Sequence, residues 1–431
     1  MGGRAAVSVI RSLLEFVSLP RMVKVSQELE CPCLEAPLTV LKRQLEASAA
    51  LKSLAPGASV AIGAGSRGIH QLPEITREVV RAVRRAGGDP FVFPSMGSHG
   101  GATAEGQERM LQVMGLTEEF LEAPIKSSME TVVIGRSRDG FPVYQDCIAH
   151  AADWIVPINR IKPHTTFRGK YESGLVKMLV IGMGKQLGAE ICHALGPESM
   201  GHNLEEMVRV VLAERRTLFG VAILENALHG TAQLEVLEAD EILEREPLLL
   251  KEANRLIPHI PFDALDVLII DEIGKDISGT GVDPNVIGRY TTHSMHGGPS
   301  VTRVAALNLT EKTGGNANGL GVMDFITKKI FDRFSFEETY PNCLTSTITG
   351  SVKIPMVLDN DRLAIQAAIK TCNRLNTEDI RFMRIRNTLE LSKLLISENM
   401  LSEAEKRGGL HVEGISEWFF DEQGNLSCGD F

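Results

Sequence analysis

The segment 154–196 constrains the fold of this chain most strongly. It joins a short apolar run, a polar loop interrupted by proline, and a long apolar stretch that contains Lys177 and Lys185. The run 155–158 is typical of a buried strand that ends in the loop. An ammonium is costly to bury without a partner. Each lysine is therefore expected to reach a surface, to meet an anion or to be chemically modified.

The length of the chain and the order of its patterns predict two α/β domains with mostly parallel sheets. A chain of 431 residues exceeds what one hydrophobic core usually serves. Apolar strand patterns alternate with helical patterns throughout. The Pro-His-Ile-Pro segment at 258–261 is typical of a linker. We expect one domain over 1–258 and a second over 262–431, with the active site in the cleft between them and the course of the last helices left open.

Individual elements follow from the same patterns. We predict strands at 58–63, 91–93, 132–134, 218–224, 265–270 and 301–307, and a helix over 73–86. An acidic stretch over 235–255 favours a helix, and another helix is expected to begin at Asp324. Asp139-Gly140 is typical of a hairpin turn.

The glycine loop after the strand at 58–63 leaves three interpretations open. Gly63-Ala64-Gly65-Ser66-Arg67-Gly68 has the spacing of a dinucleotide-binding fingerprint. That fingerprint needs an acidic residue at the end of the second strand, whereas Asp89 lies before it. The loop could instead present backbone N–H groups and Arg67 to another anion. It could also be a plain glycine turn with a solvated Arg67.

Histidines follow two of the predicted strands. His99 lies between glycines after the strand at 91–93, and His164 follows Pro163 after the strand at 155–158. Ligands bind at such strand ends in open α/β sheets. Imidazole can act as a general base near neutral pH or as a metal ligand. His193 could serve the same chemistry or be a structural histidine, and His293 and His296 could contact substrate or be surface histidines.

Composition and missing motifs exclude several function classes. The net charge of −10 argues against nucleic acid or an anionic membrane as the main partner, and no apolar run reaches the ~20 residues of a membrane span. Seven scattered cysteines indicate reduced thiols and a cytoplasmic location. The chain contains no GxSxG, HExxH or CxxC motif.

Taken in order, these residues resemble the nickel-pincer lactate racemase family, whose members racemise or epimerise 2-hydroxy acids. That family has a histidine on a strand-end loop, then Pro-His, then a glycine-rich segment with a lysine, and a histidine 16 positions later. Gly97-Ser98-His99, Pro163-His164, Gly174-Leu175-Val176-Lys177 and His193 match this order and the last interval. The resemblance is strongest over about 60–200.

The resemblance implies a complete set of roles. Lys177 would tether the nickel-pincer nucleotide, pyridinium-3,5-bisthiocarboxylic acid mononucleotide, through a thioamide, and His193 would ligate its nickel. His99 and His164 would be alternate bases for the 2-hydroxyl. Arg67, together with Gly65 and Ser66, would hold a phosphate or carboxylate. Residues expected to contact the small 2-hydroxy acid substrate are Arg168, Lys170, Lys275, Asn285, Arg289 and His293. Enzymes that make the cofactor would be partners.

The chain departs from the family pattern at two places. Ala64 replaces the aspartate of the family's Asp-x-x-Arg motif, and the interval from His164 to Lys177 is three residues longer. The extra loop, with Arg168 and Lys170, could suit a larger or more acidic substrate or could be solvated. An NAD(P)-dependent dehydrogenase, a non-catalytic binding protein and a family enzyme with a related redox step remain the alternatives.

Overall fold

The computed structural model describes residues 8–66 and 68–427 and confirms the predicted α/β class. The chain divides into two units. The N-terminal unit comprises Glu30–Ile257 with Thr345–Thr347, and the C-terminal unit comprises the described parts of Met1–Leu29, Pro258–Leu344 and Ile348–Phe431.

The strands within the described ranges are, in chain order, β1 (Met22–Gln27), β2 (Ser59–Ala64), β3 (Asp89–Pro94), β4 (Thr131–Arg136), β5 (Pro142–Asp146), β6 (Trp154–Arg160), β7 (Phe219–Glu225), β8 (Thr231–Glu238), β9 (Ala264–Ile273), β10 (Ser300–Leu309), β11 (Phe325–Thr327), β12 (Met356–Leu358), β13 (Phe382–Ile385), β14 (Lys393–Ser397) and β15 (Leu410–Ser416).

The α-helices are α1 (Val9–Leu14), α2 (Pro37–Ala47), α3 (Ala49–Lys52), α4 (Leu72–Arg85), α5 (Ala104–Val113), α6 (Glu118–Leu121), α7 (Cys147–Ala151), α8 (Leu175–Lys177), α9 (Lys185–His193), α10 (Met200–Ala213), α11 (Ile242–Leu256), α12 (Pro284–Ile287), α13 (Lys328–Arg333), α14 (Phe336–Ser346), α15 (Asp361–Thr371) and α16 (Leu401–Lys406). A π-helical turn, Met178–Gly182, follows α8. Across the described ranges, no helix has the length and apolar character that crossing a membrane requires.

The N-terminal unit is a three-layer α/β structure. Its sheet has the order β3-β2-β6-β7-β8, in which the first four strands are parallel and β8 is antiparallel to β7. Successive residues of β2 face opposite sides of the sheet and pack into two different cores. Ala61 lies on one face, and Val60 and Ile62 lie on the other. Because helices cover both faces, the parallel strands β2, β3, β6 and β7 are mostly apolar.

Two element predictions in this unit have clear outcomes. The hairpin expected around Asp139-Gly140 joins the antiparallel pair β4 and β5. The helix expected over 235–255 is wrong at its start, because β8 continues to Glu238 and α11 begins only at Ile242. The acidic residues of β8 alternate with buried Leu234 and Leu237, and pairing with β7 overrides their helical preference.

The C-terminal unit contains an eight-stranded sheet of order β12-β11-β10-β9-β13-β14-β1-β15. The five strands from β12 to β13 are parallel, and the remaining pairs are antiparallel. The helix expected from Asp324 is wrong, because β11 intervenes and α13 begins at Lys328. The buried Phe325 and Ile326 complete the sheet beside β10.

The expected first domain, 1–258, requires a correction at its start. The strand β1 lies between β14 and β15 and belongs to the C-terminal unit. Its alternate residues Val23 and Val25 are buried in the core of that unit. A strand inserted from far away in the sequence depends on long-range pairing, which local patterns do not reveal.

We predict that Val25→Asp destabilises the C-terminal unit. Val25 is fully buried between two partner strands, so an aspartate there would be an uncompensated charge that lowers the free energy of unfolding by roughly 3–5 kcal/mol. Urea unfolding and amide hydrogen exchange of β14 and β15 would measure the effect, with Lys24→Asp as the control on the half-buried neighbour. Unchanged exchange in β14 and β15 would contradict this placement of β1.

Candidate active site

Three loops meet at the carboxyl edge of the N-terminal sheet. The chain runs from β2 to β3 on one side and later places β6 on the other side of β2. Such a reversal of strand order creates the crevice in which α/β sheets bind ligands. Ala64 pairs with Pro94 and with Ile158, so the three strands end at the same level. The loops that carry Gly65, His99 and His164 therefore share this edge.

His164 and Lys177 form the centre of the site. The Nζ atom of Lys177 lies 3.1 Å from Nε2 of His164. Lys177 is half-buried at the end of α8, and the residues on either side of it are buried. The wide π-helical turn directly follows it, a feature that is frequent at functional sites.

Thr166 contacts the other ring nitrogen of His164. The backbone N–H of Thr166 donates to Nδ1 of His164 at 3.2 Å, and the hydroxyl oxygen of Thr166 lies 3.1 Å from the same nitrogen. Nε2 of His164 and Nζ of Lys177 are within hydrogen-bond distance of each other, and the tautomer of the ring decides which of them donates.

The environment keeps the His164 ring neutral. Burial, reinforced by the surrounding basic groups, lowers the pKa of His164 well below its usual value. The ring of Phe167 packs against it, with centroids 4.2 Å apart. At neutral pH the amine of Lys177 therefore lies beside an uncharged imidazole, and a lysine that has lost its proton is a nucleophile.

A buried carboxylate fixes the backbone of each partner. Glu172 Oε2 accepts from the backbone N–H of His164 at 2.6 Å, and Glu246 Oε2 accepts from the backbone N–H of Val176 at 3.0 Å. Burial raises the pKa of both carboxyls, to about 8 for Glu246. A Cβ on Gly174 would lie 2.2 Å from Glu246, so only glycine leaves room for this contact.

His193 presents a lone pair to the same region. Its Nδ1 donates to the carbonyl of Ala189 at 2.6 Å, which leaves Nε2 without a proton. Burial lowers the pKa of His193 to about 4, so the ring is neutral at physiological pH. A backbone acceptor on one ring nitrogen is the usual support for a histidine that ligates metal through the other. The neighbouring Cys192 is an unreactive thiol, since burial raises its pKa to about 12.

His99 has the same tautomer as His193. Its Nδ1 donates to the carbonyl of Met96 at 2.8 Å, so Nε2 is the acceptor. Gln107 of α5 donates to the carbonyls of Gly97 at 2.8 Å and of His99 at 3.1 Å. These bonds fix the loop that carries the imidazole.

The two lysines of the apolar segment have different partners. Lys185 is fully buried, and its Nζ lies 3.1 Å from Asp146 Oδ2, an anion as the sequence required. Burial lowers the pKa of Lys185, and the Asp146 carboxylate opposes that shift. Lys177 instead lies beside the neutral ring of His164, with its Nζ 3.1 Å from Nε2.

The other expected residues of this unit have varied surroundings. A Cβ built on Gly65 would lie 3.3 Å from Met178, next to Lys177, and Ser66 follows at the loop. Arg67 lies outside the described residues. The guanidinium of Arg168 donates to the carbonyl of His164 at 2.7 Å and thus supports the loop. Lys170 is exposed beside Tyr171, with its Nζ 5.3 Å from the ring centroid.

The remaining expected substrate residues belong to the C-terminal unit, and their contact with substrate stays a prediction. Lys275 donates to the carbonyl of Gly279 at 3.0 Å, and Asn285 is buried at the start of α12. Arg289 pairs with Asp324, and His293 is exposed.

Sequence reasoning missed the residues that position the site. Thr166, Glu172 and Glu246 act on His164 and Lys177 through backbone contacts. The available signal for Glu246 was its position on the apolar face of an amphipathic helix. The backbone N–H that it contacts lies 70 residues away in the sequence. Gln107 carried no signal.

The dinucleotide alternative has the wrong geometry. Asp89 is the first residue of β3 and lies at the opposite end of the strand from the glycine loop. The ribose-binding acid of that fingerprint belongs at the carboxyl end.

Fold and site together define an α/β protein whose N-terminal unit holds a histidine–lysine cluster at a strand-order reversal. No protein-family model matches the chain, and no curated protein is similar to it in sequence. Among solved structures, it is similar to the lactate racemase apoprotein from Thermoanaerobacterium thermosaccharolyticum, with a TM-score of 0.47 and 13% identity. The match covers 79% of this chain and 87% of that chain.

We predict that Glu246 makes stability depend on pH. Its carboxyl has a pKa of about 8 in the folded chain and the ordinary value of 4.5 when unfolded, so folding takes up a proton between these values. The stabilisation is complete below pH 4.5 and is lost as pH rises through 8. At about 1.4 kcal/mol per pKa unit, the change is on the order of a few kcal/mol.

Urea unfolding of wild type and Glu246→Gln from pH 5 to 9 would measure this slope. The neutral amide should remove most of it, while Glu244→Gln, on the same helix, should leave it intact. Equal slopes in wild type and Glu246→Gln would show that the carboxyl ionises normally.

Proposed function

We propose that this protein is a racemase or epimerase of a 2-hydroxy acid that works with a nickel-pincer nucleotide tethered to Lys177. The observation that carries the proposal is the Lys177 amine held 3.1 Å from the neutral ring of His164. A tether needs a nucleophilic amine, and an ammonium could not form one. Bond formation would also remove a basic group from a mostly buried segment.

The residues present suit this cofactor better than a free metal ion. Within the described ranges, no cluster of three or more histidine, cysteine or acidic side chains could hold a metal. A pincer brings its own carbon and sulfur donors and needs only one from the protein. His193 offers a neutral ring with a bare Nε2, fixed by its bond to Ala189.

When bound, the cofactor would supply a hydride acceptor for C2 of the substrate. The part of this chain is proton transfer at the 2-hydroxyl. His99, with an unprotonated Nε2, would accept the hydroxyl proton from one enantiomer. His164 would serve the other enantiomer, through its neutral ring beside the tethered Lys177.

Binding of anionic groups is assigned to the loop after β2. Gly65 and Ser66 end a strand at the crevice, and Arg67 follows them in sequence. Backbone N–H groups in such a turn bind phosphate or carboxylate. Because Arg168 is engaged in holding the His164 loop, we do not assign substrate selectivity to it. The enzymes that make and insert the cofactor would be partners, in a cytoplasmic setting.

We predict that protein co-produced with the cofactor-making enzymes carries a covalent adduct on Lys177. Intact mass and peptide mapping would locate it, and metal analysis would give about one nickel ion per chain. Lys177→Ala should lose both. Lys170→Ala is the matched control, since Lys170 is an exposed lysine on the loop before α8, and it should retain both.

An unmodified, nickel-free wild type, made under conditions that load a known lactate racemase, would refute the assignment. Tight binding of NAD(H) by that protein would then favour a dehydrogenase. Adduct and nickel on wild type would justify screening 2-hydroxy acids for racemisation.

A second prediction separates the tether from the metal ligand. His193→Ala should keep the mass adduct and lower nickel content at least ~10-fold, because it removes a coordinating imidazole and leaves the amine. His202→Ala, an exposed histidine on the next helix, should change neither. Retention of nickel by His193→Ala would assign the metal to another donor.

A further inference from the structure

The Lys185 ammonium is the centre of a buried polar network beside the site. Its Nζ lies 2.5 Å from the carbonyl oxygen of Pro94, 2.9 Å from Gln107 Oε1 and 3.1 Å from Asp146 Oδ2. Lys185, Gln107 and Asp146 are all fully buried. Pro94 and Gln107 accept hydrogen bonds from the ammonium, and the Asp146 carboxylate pairs with its charge.

Gln107 connects this ammonium to the His99 loop. Its carbonyl oxygen accepts from Lys185, so the orientation of its amide is determined by the cation. The amide nitrogen then points away from Lys185 and donates to the carbonyls of Gly97 and His99. Reversal of the amide would place N–H groups against the ammonium and leave both loop carbonyls without these donors.

The anion in the network is fixed as firmly as the cation. Asp146 Oδ1 caps α7 by accepting from the backbone N–H groups of Ile148 and Ala149. Its backbone N–H donates to the carbonyl of Met183, two residues before Lys185. Lys185 itself has a φ of 55°, in the left-handed region that side chains rarely adopt.

A buried ion pair of this kind is not needed to stabilise a core. Replacing a buried ion pair by apolar residues of similar volume is often neutral or stabilising. Local strain that a structure retains clusters at functional sites. The network therefore requires a reason beyond packing. Through Gln107 it contacts the backbone of His99.

We propose that Lys185, acting through Gln107, is the positioning residue for the His99 base. The carbonyls of Gly97 and His99 bracket the turn in which His99 Nδ1 donates to Met96. That donation leaves Nε2 as the ring nitrogen without a proton. The inference rests on the proposed function only for the role of His99 as a base; the positioning itself concerns this chain alone.

The test compares Gln107→Met with Gln112→Met. Both residues lie on α5 and the chemical change is the same, but Gln112 is exposed and bonds only to the nearby Glu108. Gln107→Met keeps the ion pair of Lys185 with Asp146 and removes the two donors to the loop. A second variant, Lys185→Met with Asp146→Asn, removes the charges and leaves the Gln107 amide free to turn.

The first readout is histidine-selective NMR of protein without cofactor, with the His99 ring signals assigned by His99→Gln. We expect the wild-type and Gln112→Met rings in one tautomer with Nε2 unprotonated. The Gln107→Met and double-variant rings should show averaged tautomers. If Gln107→Met does not fold, the double variant decides. Wild-type His99 signals in the folded variants would overturn the proposal.

The second readout uses the loaded enzyme. Gln107→Met should lower kcat about 10- to 100-fold with KM nearly unchanged, as expected for a misplaced base. A proportional loss of kcat and of folded protein would mean a structural role only. If wild type proves to have no racemase activity, the proposed function fails, while the NMR comparison still decides the positioning.

Discussion

The cost of burying an amine organises the N-terminal unit. Two lysines eight residues apart enter the same apolar segment, and each avoids an isolated charge differently. Lys177 is half-buried and lies 3.1 Å from the neutral ring of His164. Lys185 keeps its charge and collects a carboxylate and two further oxygens. Lys177 is thereby placed as a nucleophile, and Lys185 supports the surrounding structure. Both arrangements follow from the free-energy cost of burying an ammonium.

The rest of the site depends on contacts between buried side chains and the backbone. Glu172 and Glu246 hold the chain at His164 and beside Lys177, while Gln107 holds it at His99. The tautomers of His99 and His193 follow from backbone acceptors at Nδ1. A site built in this way is arranged before any ligand arrives, which spares the binding step the cost of ordering it.

Much of the fold could be predicted from local pattern, and the failures share one cause. Strands β2, β6, β7, β9 and β10 were evident because parallel strands buried on both faces are continuous apolar runs. The start of the 235–255 helix and the helix at Asp324 were wrong because pairing with a neighbouring strand outweighed propensity. The place of β1 in the C-terminal sheet was missed because its partners lie more than 350 residues away.

The sequence by itself determined the α/β class, the strand-end position of His99 and His164, and the requirement that Lys177 and Lys185 find partners. Those conclusions rest on periodicity and on the price of a buried charge, which are local properties. Only the tertiary structure decided which partner each lysine has, which ring nitrogen of His99 and His193 carries the proton, and that Glu246 and Gln107 support the site. Such contacts join distant segments, and hydrogen-bond geometry at a distance of about 3 Å is invisible in a linear pattern.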